Sequence, residues 1–329
     1  MSFFAVLLAL FIEQLRPLPR RNAVLRALVA WTGWTGRNFD AGHEQHAWVV
    51  WAMTVLAPAA AVFAVHVVVA QFSLLLALAW DVAVLYLTLG FRHFSHFFTD
   101  IREALERGDE TEARRLLAEW RHVDTSELPH TELLRHVIEH SLLAAHRHVF
   151  GVFFWFVLLS ALGFGPAGAV LYRLAEFASR YWAFRSQTLG VPVNERLMQR
   201  SQALYAAIDH APARLTAFGF AVVGNFEEAI DCWRRDARLW LKPNEGVILA
   251  AASGAVGVSL GGGAPPPLAV DQTKGLSAGT TPTDAEATGS TPGLQPEVGH
   301  LRSVVGLVWR SVVLWMLLLA LLTLANLVG

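Results

Sequence analysis

Eight of the thirteen histidines fall between Arg92 and His148. His93 with His96 and His136 with His140 recur at one-turn spacing, and His146 and His148 follow. Such spacing can bring two imidazoles to one metal ion. No H-E-x-x-H, cysteine partner or third carboxylate accompanies them, and histidines also gather at the edges of membrane helices, so no metal ligand is assigned. A second group is the run Asp209, His210, Ala211, Pro212, Ala213, Arg214, Leu215, Thr216, in which a carboxylate and a guanidinium bracket a proline ahead of a short apolar helix. It reads equally as an ion pair at a helix entry and as a pair of ligand groups. The chain has no G-x-x-x-x-G-K-[ST] loop and no G-x-G-x-x-G turn, so a nucleotide would need another cradle. Gly261 to Gly263 lead into prolines rather than a helix and do not supply one.

The elements that must position these groups are membrane helices. Among 329 residues, 54% are hydrophobic, 16% are charged and twelve are tryptophan, which is too apolar for an ordinary soluble domain. The reading is all-α, a polytopic membrane protein with a helical cytosolic domain and a re-entrant or broken helix pair. A net charge of -1 argues against a nucleic-acid partner, which needs a concentrated basic surface. A single cysteine, Cys232, excludes an intramolecular disulfide and a thiolate cluster.

A membrane crossing takes about 20 apolar residues. Ala47 to Ala70 and Phe72 to Phe91 meet that length and make a hairpin that turns at Gln71 and Ser73, in an N-terminal membrane region of residues 1–91. Phe3 to Ile12 is a little over half a span and is expected to be an embedded or interfacial helix rather than a cleaved signal. Residues 301–329 hold a last crossing, Val304 to Val328. Arginine sets the orientation. The loop after the first helix carries Arg16, Arg20, Arg21, Arg26 and Arg37, and Arg92 to His148 carries eight more, so both are expected to face the cytoplasm. Val149 to Tyr172 is interrupted by Gly163, Phe164, Gly165 and Pro166, and is expected to re-enter and return, since a full crossing would put Arg173 to Arg200 outside. A break at that depth needs protein or a watery cavity around it, which makes it a place for a site.

Residues 92–148 read as a cytosolic helical domain. A helix from about Thr99 to Arg107 ends at Gly108, Asp109 with Glu112 caps the next, Asp124 to Ser126 turns, and Glu132 to His148 is helical again. Residues 149–260 form the core with the re-entrant segment. Residues 261–300, rich in Gly, Pro, Thr and Ala, are expected to be a disordered linker.

The spacing of Gly108–Asp109, Ala113–Arg114, Asp124–Thr125, Arg135 with Glu139, and Phe154–Trp155 resembles the CobD/CbiB superfamily of integral membrane proteins, which makes cobamides. The run from Asp209 to Leu215 is similar to its D-x-x-P-x-R-L element. Arg235, Asp236 and Ala237, then Pro243, Asn244 and Gly246, then Gly254 to Gly262, resemble its R-D-A, P-N-x-G and G-A-x-G-V-x-L-G-G signature. The glycines there would admit either a bulky ligand or a closely packed helix. The chain departs from the family in three places: Leu143 to His148 stand where it carries an acidic E-N-x-x-D-G, Phe11 to Pro19 replace an L-D-x-x-x-G-D-P element, and Ala175 to Tyr181 replace N-T-L-D-S-M.

The resemblance implies an inner-membrane protein that joins an aminopropanol moiety to the propionate carboxylate of adenosylcobyric acid by ATP-dependent amide formation. ATP with Mg2+ would be the cofactors, and the partners would be the lipid bilayer, the corrinoid and aminopropanol-type small molecules. Carried onto this chain, Asp124, Glu139, Asp209 and Asp236 are the expected catalytic acids, and Thr125, Arg214, Asn244 and Gly246 the expected binding residues, all meeting where the cytosolic helices join the broken segment. The three departures resemble instead an AmpE-like membrane signalling protein of cell-wall recycling and beta-lactamase induction, with protein partners and no chemistry. On the enzyme reading, acids restored at Leu143 and Arg147 are expected to rebuild a metal site.

Overall fold

The structure is a computed structural model that describes residues 2–16, 23–39, 44–89, 91–121, 125–126, 128–187, 193–262 and 289–328. Among these, every long element is an α-helix: α1 Ser2–Leu15, α2 Ala23–Phe39, α3 Glu44–Phe72, α4 Leu74–Thr88, α5 Phe91–Glu106, α6 Glu110–Arg121, α7 His130–Ala145, α8 Gly151–Ala161, α9 Ala167–Gln187, α10 Glu195–Ile208, α11 His210–Val223, α12 Phe226–Asp236, α13 Pro243–Val256 and α14 Val298–Val328. Three stretches are long and apolar enough to cross a membrane: Gln45–Phe72, His130–Ala161 and Val298–Ala325. The protein is an all-α, multi-pass membrane protein with joined and broken helices, as an inner-membrane location requires. The chain makes two compact units, one of Met1–His93, His146–Pro212 and Trp315–Gly329, the other of Phe94–Ala145 and Ala213–Leu314.

In the first unit the α3–α4 hairpin turns at Ser73, whose hydroxyl accepts the Leu75 N–H at 3.2 Å as the cap of α4. The core seam is Ala47, Val50, Trp51 and Val55 of α3 against Leu174, Ala175, Ala178 and Trp182 of α9, with Leu197 of α10. Its alanines let the helix backbones approach, the usual device where lipid offers no hydrophobic drive. The expected break follows α8: Gly163 and Gly165 have φ of 86 and 55, Ser160 donates to the Gly165 carbonyl at 2.9 Å, and α9 starts after Pro166. A Cβ on Gly165 would lie 2.5 Å from the His66 ring, and His66 Nδ1 is 2.9 Å from Asp81 of α4. The break therefore rests on a polar pair carried by the hairpin.

In the second unit α5 ends as the sequence predicts. Gly108 takes φ 77, and the N–H groups of Gly108 and Asp109 donate to Leu105 and Ala104 at 3.0 and 2.9 Å. The Asp109 carboxylate accepts the Glu112 N–H at 3.0 Å, but the Glu112 carboxylate turns to Arg115 at 2.7 Å rather than closing the box. Helices α12 and α13 pack antiparallel at very short range. A Cβ on Gly254 would meet the Glu228 carbonyl at 2.2 Å, and one on Gly246 the Ala237 carbonyl at 2.3 Å.

Three expectations change. The arginine-bearing loop after α1 is largely helix α2, which carries Arg26 and Arg37, whereas Arg20 and Arg21 lie outside the described residues. The helix from His130 does not stop at His148 but runs on through a π-helical turn, His146–Phe150, into α8. In the expected linker, residues 263–288 lie outside the described residues, but Val258 bridges to Leu294 and Gly261 to Ser290, and α14 begins at Val298. Val258 and Leu260 are buried there, which gives the paired segment an apolar anchor that composition did not reveal.

Candidate functional site

In the second unit, the segments carrying the most specific motifs meet at the start of α13. Pro243 takes the first helical position, where its missing N–H leaves no bond unmade. One residue on, the Asn244 side-chain carbonyl accepts from Arg214 Nη1 of α11 at 3.3 Å. After α13 the chain turns at Gly257, φ 78, and comes back along the helix as an extended segment. Residues 258–262 are tied to 289–294 by Ser259 N–H to Leu294 O at 2.8 Å, Thr291 N–H to Leu260 O at 2.9 Å and Gly262 N–H to Gly289 O at 3.1 Å. The Thr291 hydroxyl accepts from Ser253 at 2.6 Å and from the Leu260 N–H at 2.8 Å, pinning the returning segment to α13. It ends against Trp240. A Cβ on Gly261 would lie 2.9 Å from that indole, one on Gly289 2.4 Å from it, and one on Gly246 2.8 Å from the Trp240 Cβ.

Glu139 of α7 closes this arrangement. Its Oε1 accepts the Gly261 N–H at 2.7 Å, and its Oε2 is 3.6 Å from Nδ1 of His136 one turn back on the same helix. His136 is 5% exposed, and neither ring nitrogen has a hydrogen-bond partner among the described residues. Asp236, also buried, holds Arg235 through two hydrogen bonds of 2.9 and 3.0 Å. Gly246 is used for packing against Ala237 and Trp240. Thr125 ties its turn to α6, donating to the Arg114 carbonyl at 2.8 Å while its own carbonyl accepts from Arg114 at 2.9 Å. Asp124 lies outside the described residues.

Asp209 belongs to the first unit. One carboxylate oxygen is 2.8 Å from His146 Nε2 and accepts from the Tyr172 hydroxyl at 2.8 Å, and Tyr172 is 3.3 Å from the Tyr205 hydroxyl. The π-helical turn that carries His146 is followed by Gly151, where a Cβ would fall 2.1 Å from the Tyr172 ring. π-Turns recur at functional positions because they re-aim side chains. Next to His146, Arg147 acts electrostatically on the fully buried Glu176, which also holds Arg173 at 2.8 Å and Arg180. The segment in which the resemblance puts acids thus supplies a histidine that pairs with Asp209 and an arginine.

Each candidate carboxylate that is described already holds a protein donor, and no three His, Cys, Asp or Glu side chains gather into a metal-binding group among the described residues. As placed, they do not fit a resident Mg2+. Sequence reading singled out His136 only as one of a group of histidines at one-turn spacing, and missed its position beside Glu139, as well as Trp240, Tyr172 and the pairing of His146 with Asp209. Trp240 lies between two quoted motifs and His146 inside the quoted gap, so position was legible where partnership was not.

The family described as CobD/Cbib protein matches residues 2–287. The cobalamin biosynthesis protein CobD of Stutzerimonas stutzeri is 29% identical over 323 residues, 96% of either chain. That of Chromobacterium violaceum is 37% identical over 193 residues, 58% of either chain, and that of Leptospira interrogans is 25% identical over 191 residues, 55% of this chain and 56% of the relative. No solved structure matches. With the family's motifs gathered on α7, α11 and α13 and the match running over most of the chain, this multi-pass membrane protein belongs to the CobD/CbiB family, with that family's role in cobalamin biosynthesis.

Proposed function

We propose that the protein attaches aminopropanol, or its phosphate, to the propionate carboxylate of adenosylcobyric acid by forming an amide. The observations that support this reading are the contact of Arg214 with Asn244 at the start of α13 and the Glu139-anchored Gly261 that abuts Trp240. A guanidinium and a side-chain amide at a helix start suit a phosphate or carboxylate group. Arg214 would hold that anion and Asn244 orient it, while Trp240 offers an apolar ring to the corrin periphery. ATP, when bound, would supply the activation of the carboxylate, and any Mg2+ would arrive with the nucleotide rather than reside on the carboxylates described above. Asp124, Thr125, Asp209, Asp236 and Gly246 stay in the proposed set for the same test.

Growth of a strain lacking its own CobD/CbiB enzyme, supplied with cobyric acid, tests the reading. The protein is expected to restore cobamide-dependent growth, and Arg214→Ala to reduce the rate by about 100-fold, the usual effect of removing a charge-stabilising donor. A protein that inserts and folds yet gives no growth would overturn it. That outcome would favour an AmpE-like, non-catalytic role, with which the exchange of acids for Leu143 and Arg147 agrees.

A further inference from the structure

The buried imidazole of His136 has no part in the account above. It sits on α7 with 5% exposure, both ring nitrogens without a hydrogen-bond partner among the described residues. Burying an imidazole with neither nitrogen paired is unfavourable, so such a group calls for a ligand or a task. Its surroundings are ordered rather than random. The Gly261 N–H holds Glu139 Oε1 at 2.7 Å, which aims Oε2 at His136 Nδ1, 3.6 Å away. Gly261 in turn abuts Trp240. The result is a chain from backbone amide to carboxylate to imidazole, in which Nδ1 faces its orienting acid and Nε2 is left for a further partner.

Amide formation needs what this chain of groups provides. The amine of an aminoalcohol is an ammonium ion at neutral pH and has no lone pair with which to attack. We propose that His136 accepts that proton: the ammonium N–H bond breaks, the proton passes to Nε2, the lone pair stays on nitrogen, and the imidazolium is held through Nδ1–H by Glu139. His136 is then the general base and Glu139 its positioning residue. The inference rests on the amide-forming reading and names the part of the site that takes the amine.

Full-length protein in lipid nanodiscs, given adenosylcobyric acid, aminopropanol phosphate, ATP and Mg2+, provides the test. His136→Gln is expected to lower kcat by about 100-fold or more, the range of a lost general base, with the KM for the corrinoid within about threefold of wild type. His136→Ala is expected to regain turnover when imidazole is added, which a purely structural histidine would not show. Glu139→Gln, which keeps an acceptor for Gly261 but removes the charge beside His136, is expected to lose about tenfold in kcat. Should His136→Ala fail to fold, the two glutamine variants carry the comparison. Turnover by wild type with undiminished His136→Gln, or a loss confined to KM with no recovery in imidazole, overturns the role of His136 alone. Wild-type protein that makes no amide overturns the ligation reading and this role with it.

Discussion

Asp209 receives both His146 and the Tyr172 hydroxyl on a single oxygen, at 2.8 Å each, with the three side chains almost fully buried. Removing one donor from a satisfied acid and removing the acid itself are different perturbations. Tyr172→Phe leaves the His146 contact in place and is expected to cost about 1–2 kcal/mol, whereas Asp209→Ala strips both donors of their acceptor and is expected to cost about 3–5 kcal/mol. Thermal unfolding in detergent reads the ranking, and equal losses would contradict it. The same arithmetic reverses the expectation about restored acids. Leu143 is buried, so Leu143→Glu would place a carboxylate among apolar neighbours, and Arg147→Asp would turn an attraction to Glu176 into repulsion. Both are expected to destabilise rather than rebuild a site. At this scale the sequence could name Asp209, Arg214 and Asn244, because each stands in a short motif. It could not pair Asp209 with His146 or Gly261 with Glu139, 63 and 122 residues apart, because no local spacing encodes such contacts.

Helix breaks and caps were legible because they depend on local chemistry. Gly108, the Asp109 cap, the Ser73 turn and the Gly163–Pro166 break all stand where glycine, proline and short polar side chains put them. Helix α2 was missed because its arginines drew a topological reading over a run of Leu, Ala and Trp that propensity alone favours as helix. The run from α7 through α8 was missed because the change from polar to apolar residues at Val149 reads as a boundary, whereas the helix continues across it through a π-turn. Two glycines separate strain from clash. Gly108 has φ 77 with open space around it, and Gly165 has φ 55 with the His66 ring 2.5 Å from a Cβ. Alanine at Gly108 is expected to cost about 1–2 kcal/mol from the left-handed backbone, and alanine at Gly165 to add about 1–3 kcal/mol for the forced shift of His66. An unfolding midpoint no lower for Gly165→Ala than for Gly108→Ala would rule out the packing of the break on the His66–Asp81 pair.

For the whole molecule, composition made the membrane class plain, and the three apolar stretches now give it lengths. From the distribution of arginine we predict that Arg102 and Lys242 both face the cytoplasm. Cys232 is buried, and burial pushes its thiol above the ordinary range, so native protein reacts slowly and single cysteines can be added to it. Arg102→Cys and Lys242→Cys are expected to resist an impermeant maleimide in intact spheroplasts and to label after lysis. Labelling of Lys242→Cys from outside would require the segment from Val149 to Tyr172 to cross fully. The central claim, amide formation on a corrinoid by this family member, is met most directly by the mass of the corrinoid product. Membranes containing the protein, incubated with adenosylcobyric acid, ATP, Mg2+ and aminopropanol or its phosphate, should yield a corrinoid heavier by the added moiety less one water, dependent on Arg214. An unchanged corrinoid in the presence of inserted, folded protein would contradict the account.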